Sequence, residues 1–149
     1  MRSRHLFLLF LFVLGTTSIA VYKKYYKKDK NLQTTEKNYN EIIIEDLKIG
    51  DGESADKGLK VKINYKAALE DGFVFDSSLE RNEPLIFRVG AKTIIKGLNE
   101  GVVGMQVGGK RRVVVPPNLG FGKNTLGGII PQDSFIIFEI ELLEVDGGK

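Results

Sequence analysis

Cysteine is absent from this sequence, tryptophan is absent as well, and the single histidine is His5. Thiolate and imidazole chemistry are therefore closed to the body of the chain. Ser-His-Asp and Cys-His nucleophiles, CxxC redox pairs and the usual zinc sites are excluded, because each needs Cys or His. The lack of cysteine also removes any clue to redox compartment. A basic folded surface is missing too. The formal charge is +3, but residues 1–30 hold seven of the 22 Lys and Arg and only one acid, Asp29. Residues 31–149 carry 15 bases against 18 acids, a net of −3. Nucleic-acid binding needs a basic stripe on the folded part, so no nucleic-acid partner is expected. The 149 residues suit one ordinary domain, and no second catalytic domain is expected.

What is present begins with an apolar run over residues 6–21, preceded by Arg2 and Arg4 and followed by Lys23, Lys24, Lys27 and Lys28. Its length of about sixteen residues falls between the 7–15 of a signal-peptide core and the roughly 20 of a comfortable membrane span. Three readings stand: an uncleaved anchor, a signal peptide cut after Ser18-Ile19-Ala20, and a buried core helix. Orientation is also open. The lysine-rich C-terminal flank favours a cytoplasmic domain, whereas a basic start followed by one apolar run is the usual export design. Residues 23–40 are rich in Lys, Asn, Thr, Gln and Tyr without periodicity, which reads as a polar linker. The division expected is 1–22 signal or anchor, 23–40 linker and 41–149 folded domain, extracytoplasmic and monomeric.

Period-two alternation dominates from Glu41 onward. Ile42 and Ile44 open it; Val61, Ile63, Tyr65, Ala67 and Leu69 then share a face opposite Lys60, Lys62, Asn64 and Lys66. Such a pattern is a half-buried antiparallel strand. Asp71-Gly72 predicts a tight hairpin on the ground that both residues tolerate positive φ, with the next strand at residues 73–76. Further strands are predicted at residues 85–88, 113–115 and 135–145. In the last, Ile136, Phe138, Ile140 and Leu142 face away from Glu139 and Glu141. Leu98, Gly101, Val102 and Met105 recur at helical spacing and predict one short helix lying on the sheet. A long glycine-rich loop from Gly120 to Pro131 leads into the final strand, and its glycines lack the spacing and the Lys-Ser/Thr of a phosphate-binding loop.

Several blocks keep a common order: Leu69-Glu70-Asp71-Gly72 before Phe75-Asp76-Ser77-Ser78, then Val89-Gly90, Ile94-Ile95-Lys96-Gly97, Gly101 with Met105, Gly108 and Gly109, and Gly127-Gly128-Ile129-Ile130-Pro131. Together they resemble the FKBP-type peptidyl-prolyl isomerases over about residues 41–146. The resemblance implies an α+β fold, a curved antiparallel β-sheet wrapped around one short α-helix, with the active pocket between them. It implies catalytic roles for Tyr65, Phe75, Asp76, Ile95, Phe121 and Phe138, and substrate binding by Arg81, Phe87, Ile94, Leu98 and Ile130. The backbone N–H of Ile95 is the implied donor to substrate. Tyr65 faces inward by the alternation, so its hydroxyl needs a partner, and Asp76 is the candidate. No cofactor or metal is implied. The expected partners are proline-containing polypeptides and macrolides such as tacrolimus or rapamycin, with the membrane met through the N-terminal segment.

Departures from the family pattern bear on the pocket. Leu98 stands where most close relatives have a tryptophan floor, Phe121 where they have a tyrosine, and Leu85 and Leu126 where they have an aromatic and a histidine. A shallower floor and one missing hydrogen bond predict weakened macrolide affinity more than lost isomerase activity. The alternative is a non-catalytic module or chaperone that binds proline-containing segments on the same fold.

Overall fold

Six segments with alternating or continuous apolar character form strands in the computed structural model, which describes residues 40–124 and 127–147. The N-terminal apolar run, the linker up to residue 39 and Leu126 lie outside the described residues. The strands are β1 (Ile43–Lys48), β2 (Lys60–Leu69), β3 (Val74–Ser77), β4 (Leu85–Arg88), β5 (Lys110–Val115) and β6 (Ile136–Asp146). They build one antiparallel sheet in the order β1-β5-β6-β2-β3, with β4 also paired to β2. Two α-helices accompany them among the described residues, a single turn, α1 (Ser78–Arg81), and α2 (Lys96–Val102), with a 3-10 turn at Pro117–Leu119. The one-turn helix is an addition to the single helix expected. It is too short to show apolar periodicity.

The inward row of β2 is the row that alternation requires. Val61, Ile63, Tyr65, Ala67 and Leu69 are all buried, and they join Phe138, Ile140 and Leu142 of β6 in one core. Near its end β6 carries an extra residue: Ile63 pairs with Leu142 while Lys62 pairs with Glu144. This bulge turns Val145 inward although it lies three residues past Leu142. Bulges raise local twist and bend a sheet, and others interrupt β1 and the β2–β3 pair.

Against the same face lies α2, closer than ordinary side chains would permit. A Cβ on Gly97 would stand 2.2 Å from Cγ1 of Val115, and one on Gly101 would stand 2.8 Å from Cγ2 of Val113. The two glycines therefore set the helix backbone directly on β5. The helix ends sooner than its apolar spacing predicts, because Gly104 takes φ +75° and Met105, though buried, falls beyond it. Arg111 of β5 donates to the carbonyls of Gly101 and Val103 at 3.0 and 2.9 Å, satisfying helix-end acceptors, and also pairs with Asp46.

The hairpin between β2 and β3 differs in kind from the expected one. Gly72 alone has positive φ, at +91°; its N–H donates to Leu69 O at 3.0 Å, and the Leu69 N–H donates to Phe73 O. The loop is thus three residues, a turn over Glu70 and Asp71 closed by a left-handed glycine, and the strand starts one residue later than expected. Asp71 instead accepts the N–H of Phe73 at 2.9 Å.

The opposite sheet face holds a small apolar cluster, Val114 and Ile137 with Ile43 and Phe135. Beside it runs an ion ladder. Arg112 donates to Glu45 and Glu139, both at 2.9 Å, and Lys66 reaches Glu139 at 2.9 Å.

Candidate functional site

The site grows from a gap in the sheet. On one edge of β2, β4 pairs with Lys60 through Ile63 and β3 pairs with Lys66 through Ala68, leaving Asn64 and Tyr65 without a strand partner there. Buried backbone groups must still be satisfied. Ser78 does this: its fully buried Oγ accepts the Tyr65 N–H at 2.8 Å and lies 3.3 Å from both Tyr65 O and Asn64 Oδ1. Ser77 caps α1, accepting the N–H of Glu80 at 3.4 Å, and Asn82 ends the turn in the left-handed region at φ 56°. One strand end and one helical turn thereby bring Arg81 back onto Asp76.

Three polar groups meet at that corner. The Tyr65 hydroxyl donates to Asp76 Oδ2, and Arg81 Nη1 forms an ion pair with Asp76 Oδ1. Arg81 Nη2 donates to the Tyr65 hydroxyl at 3.0 Å, and the guanidinium carbon stands 5.8 Å from the centre of the Tyr65 ring. The inward tyrosine thus has the partner that the alternation demands. On the apolar side, the rings of Tyr65 and Phe138 lie 6.2 Å apart and tilted by 53°, within the range of favourable aromatic pairs.

The other expected site residues divide into two groups. Phe87, Leu98 and Ile130 are buried in the core itself, with 6%, 4% and 1% exposure. Phe75, Ile94, Ile95 and Phe121 are only half-buried and pack against that core, so their outer surfaces are open to a ligand. Leu85 sits with them. The Phe121 ring has no hydroxyl to reach the polar corner and packs against the core.

One residue outside the expected set organises the segment carrying Ile94 and Ile95. Asn99, buried on α2, accepts the Gly90 N–H at 2.7 Å and donates to Ala91 O and Ile94 O at 2.9 and 3.1 Å. Its amide serves as acceptor and double donor at once, which neither Asp nor Leu can do. A polar residue on the inward side of a short apolar helix was the available sequence signal for it. For Ser78 the signal was weaker, since only the unpartnered stretch of β2 explains its burial.

Half-buried apolar side chains beside the corner of Tyr65, Asp76 and Arg81 suit the binding of an apolar ring. The comparisons with known proteins agree. A family model described as FKBP-type peptidyl-prolyl cis-trans isomerase matches residues 51–143. An FK506-binding protein of Neisseria meningitidis serogroup B is 46% identical over 104 residues, covering 70% of this chain and 95% of its own length. FK506-binding protein 2B of Rhizopus delemar is 48% identical over 93 residues, covering 62% of this chain and 44% of its own. Among solved structures, FkpA from Escherichia coli superposes with a TM-score of 0.67 at 34% identity, covering 89% of this chain and 59% of that one. AtFKBP13 gives 0.64 at 37% identity, covering 70% and 93%. The chain belongs to the FKBP-type peptidyl-prolyl cis-trans isomerase family, and its activity is rotation about X-Pro peptide bonds.

Proposed function

We propose that the prolyl ring of a polypeptide client enters between Phe75, Phe138 and the apolar segment at Ile94 and Ile95, with Phe121 closing one side. The network of Tyr65, Asp76 and Arg81 is the single observation that carries this assignment. It is a polar corner beside the half-buried aromatic side chains, and its three members come from different elements. Phe87, Leu98 and Ile130, buried beneath, form the floor. The backbone N–H of Ile95 holds the substrate carbonyl next to the rotating bond.

The chemistry follows from amide resonance. Rotation about a peptide bond meets a barrier of about 18–20 kcal/mol, and X-Pro bonds left alone relax in about 10–100 s. The twisted amide separates less charge than the planar one. A pocket that strips water from the carbonyl therefore disfavours the planar state relative to the transition state, and each ~1.4 kcal/mol gained is tenfold in rate. Neither a base nor a cofactor is needed, which fits a chain without Cys and with His only at position 5.

Macrolides such as tacrolimus and rapamycin bind this pocket more weakly than they bind relatives with a tryptophan floor, since Leu98 offers less aromatic surface and Phe121 no hydroxyl. The protein acts as a monomer on exported or membrane clients, carried by its N-terminal apolar segment. Among the described residues no helix is long and apolar enough to cross a membrane. The anchor is a reading of residues 1–22 alone. Protease accessibility of the domain in intact cells, with N-terminal sequencing of the recovered protein, tests it; a domain degraded only after lysis contradicts external placement. The site assignment is tested by substitutions at Asp76 and Leu98, set out below.

A further inference from the structure

Next to the proposed prolyl site lies a cleft of about 570 Å3, a size that accommodates several side chains. Val89, Ala91 and Val103 contribute apolar wall, and the cleft shares Ile94 and Ile95 with the prolyl site but none of Tyr65, Asp76 or Phe138. Its charge is opposite in sign to the net charge of residues 31–149. Lys57, Lys92 and Lys96 border it against one acid, Glu100, which lies 3.7 Å from Lys96. Lys57 and Lys92 form no ion pair among the described residues, while residues 31–149 as a whole are net negative. The Lys57 stem passes over Gly90, its Cγ and Cε each 3.6 Å from where a Cβ would stand, which sets this side chain along the cleft. Two uncommitted cations over an apolar wall that continues into the prolyl site fit an extended chain bearing carboxylates.

We propose that this cleft is an accessory subsite for the acidic flank of a proline-containing client. The chain crosses Ile94 and Ile95, and Asp or Glu side chains beside the X-Pro pair meet Lys57 and Lys92. The inference rests on the prolyl-pocket assignment for the position of the proline. It adds a substrate class: clients with acidic residues near the isomerised bond.

The test uses the full chain in nonionic detergent and three fluorescent peptides of equal length around the same central X-Pro. One carries Asp-Glu on the N-terminal flank, one carries it on the C-terminal flank, and the third carries Asn-Gln on both. Exposed charge pairs are individually weak, so about a threefold or greater tightening of Kd at low salt is expected for one acidic peptide over the neutral one. That ratio should fall to one or below when Lys57→Glu and Lys92→Glu are combined, shrink in ~0.5 M salt, and persist in Lys48→Glu, which changes net charge away from the cleft. Equal affinity for all three peptides, or a preference that survives the double reversal, overturns the subsite. Turnover of the neutral peptide is followed in the same samples. Its absence would count against the prolyl-pocket assignment, while the binding ratio still decides the cleft.

Discussion

Asp76 accepts from a tyrosine hydroxyl and a guanidinium at once, so removing its carboxylate strands two donors while leaving the β-ladder position filled. Asp76→Val should keep the fold and lower kcat/KM roughly tenfold or more, because a hydrogen bond to a charged group is worth about 1.5–3 kcal/mol. Peptide turnover and macrolide affinity measure the loss, with thermal unfolding as control. Leu98→Trp should act in the opposite sense on macrolide binding by enlarging the aromatic floor. Leu98 is only 4% exposed, so the larger ring must push neighbours aside at about 1–3 kcal/mol of stability. Macrolide affinity and Tm of this variant are read together: tighter binding with a lower Tm is expected, and unchanged binding contradicts the floor assignment. At this scale the need of the inward Tyr65 hydroxyl for an acceptor was legible from strand alternation, while Asp76 as that acceptor came from the resemblance to the FKBP family. Ser78 and Asn99 were not, because each answers a backbone need created by other segments: an unpartnered stretch of β2 and the turn at residues 90–95.

Between elements, the contact of α2 with β5 tolerates no added methyl. Gly→Ala in a helix normally gains up to about 1 kcal/mol. At Gly97 the new Cβ would lie 2.2 Å from a carbon of the fully buried Val115, and overpacking costs about 1–3 kcal/mol. The cost should win: Gly97→Ala is expected to lower Tm by several degrees in calorimetry, and a higher Tm would show that the helix can lift freely. The ladder on the other sheet face makes a pH prediction. Burial pushes the Glu139 carboxyl up, but hydrogen bonds and charge from Lys66 and Arg112 outweigh this and hold it below the usual carboxylate range. A lowered folded pKa contributes stability above the unfolded value and loses it as pH falls through the folded one. Glu139→Gln should therefore flatten the acid limb of a stability–pH curve measured by urea unfolding; an unchanged limb would contradict the coupling. Strand positions were readable here because period-two burial is local. The bulge in β6, the three-residue hairpin and the early end of α2 were not, because each depends on register against a neighbour or on which residue takes positive φ.

For the molecule as a whole, the distribution of charge and apolar character separates a basic, apolar N-terminal segment from residues 31–149, which are net negative. The six strands lie between Ile43 and Asp146, and β2, β3, β4, β5, β6 and α2 contribute to one main core. The fold class was legible because alternation, one helical stripe and a set of ordered motifs agreed with one another. The role of the N-terminal apolar run was not, since about sixteen residues fit an anchor, a signal peptide or a buried core helix. Residues 41–149 produced alone should fold as a soluble monomer, because the alternating strands begin only after Asn40. Turnover by that domain in a protease-coupled proline-peptide assay is the most direct measurement. Relaxation of the X-Pro bond well above the buffer rate, suppressed by Asp76→Val, is the expected result; a folded domain that binds the peptide but leaves its isomerisation at the buffer rate would contradict the prolyl-pocket mechanism.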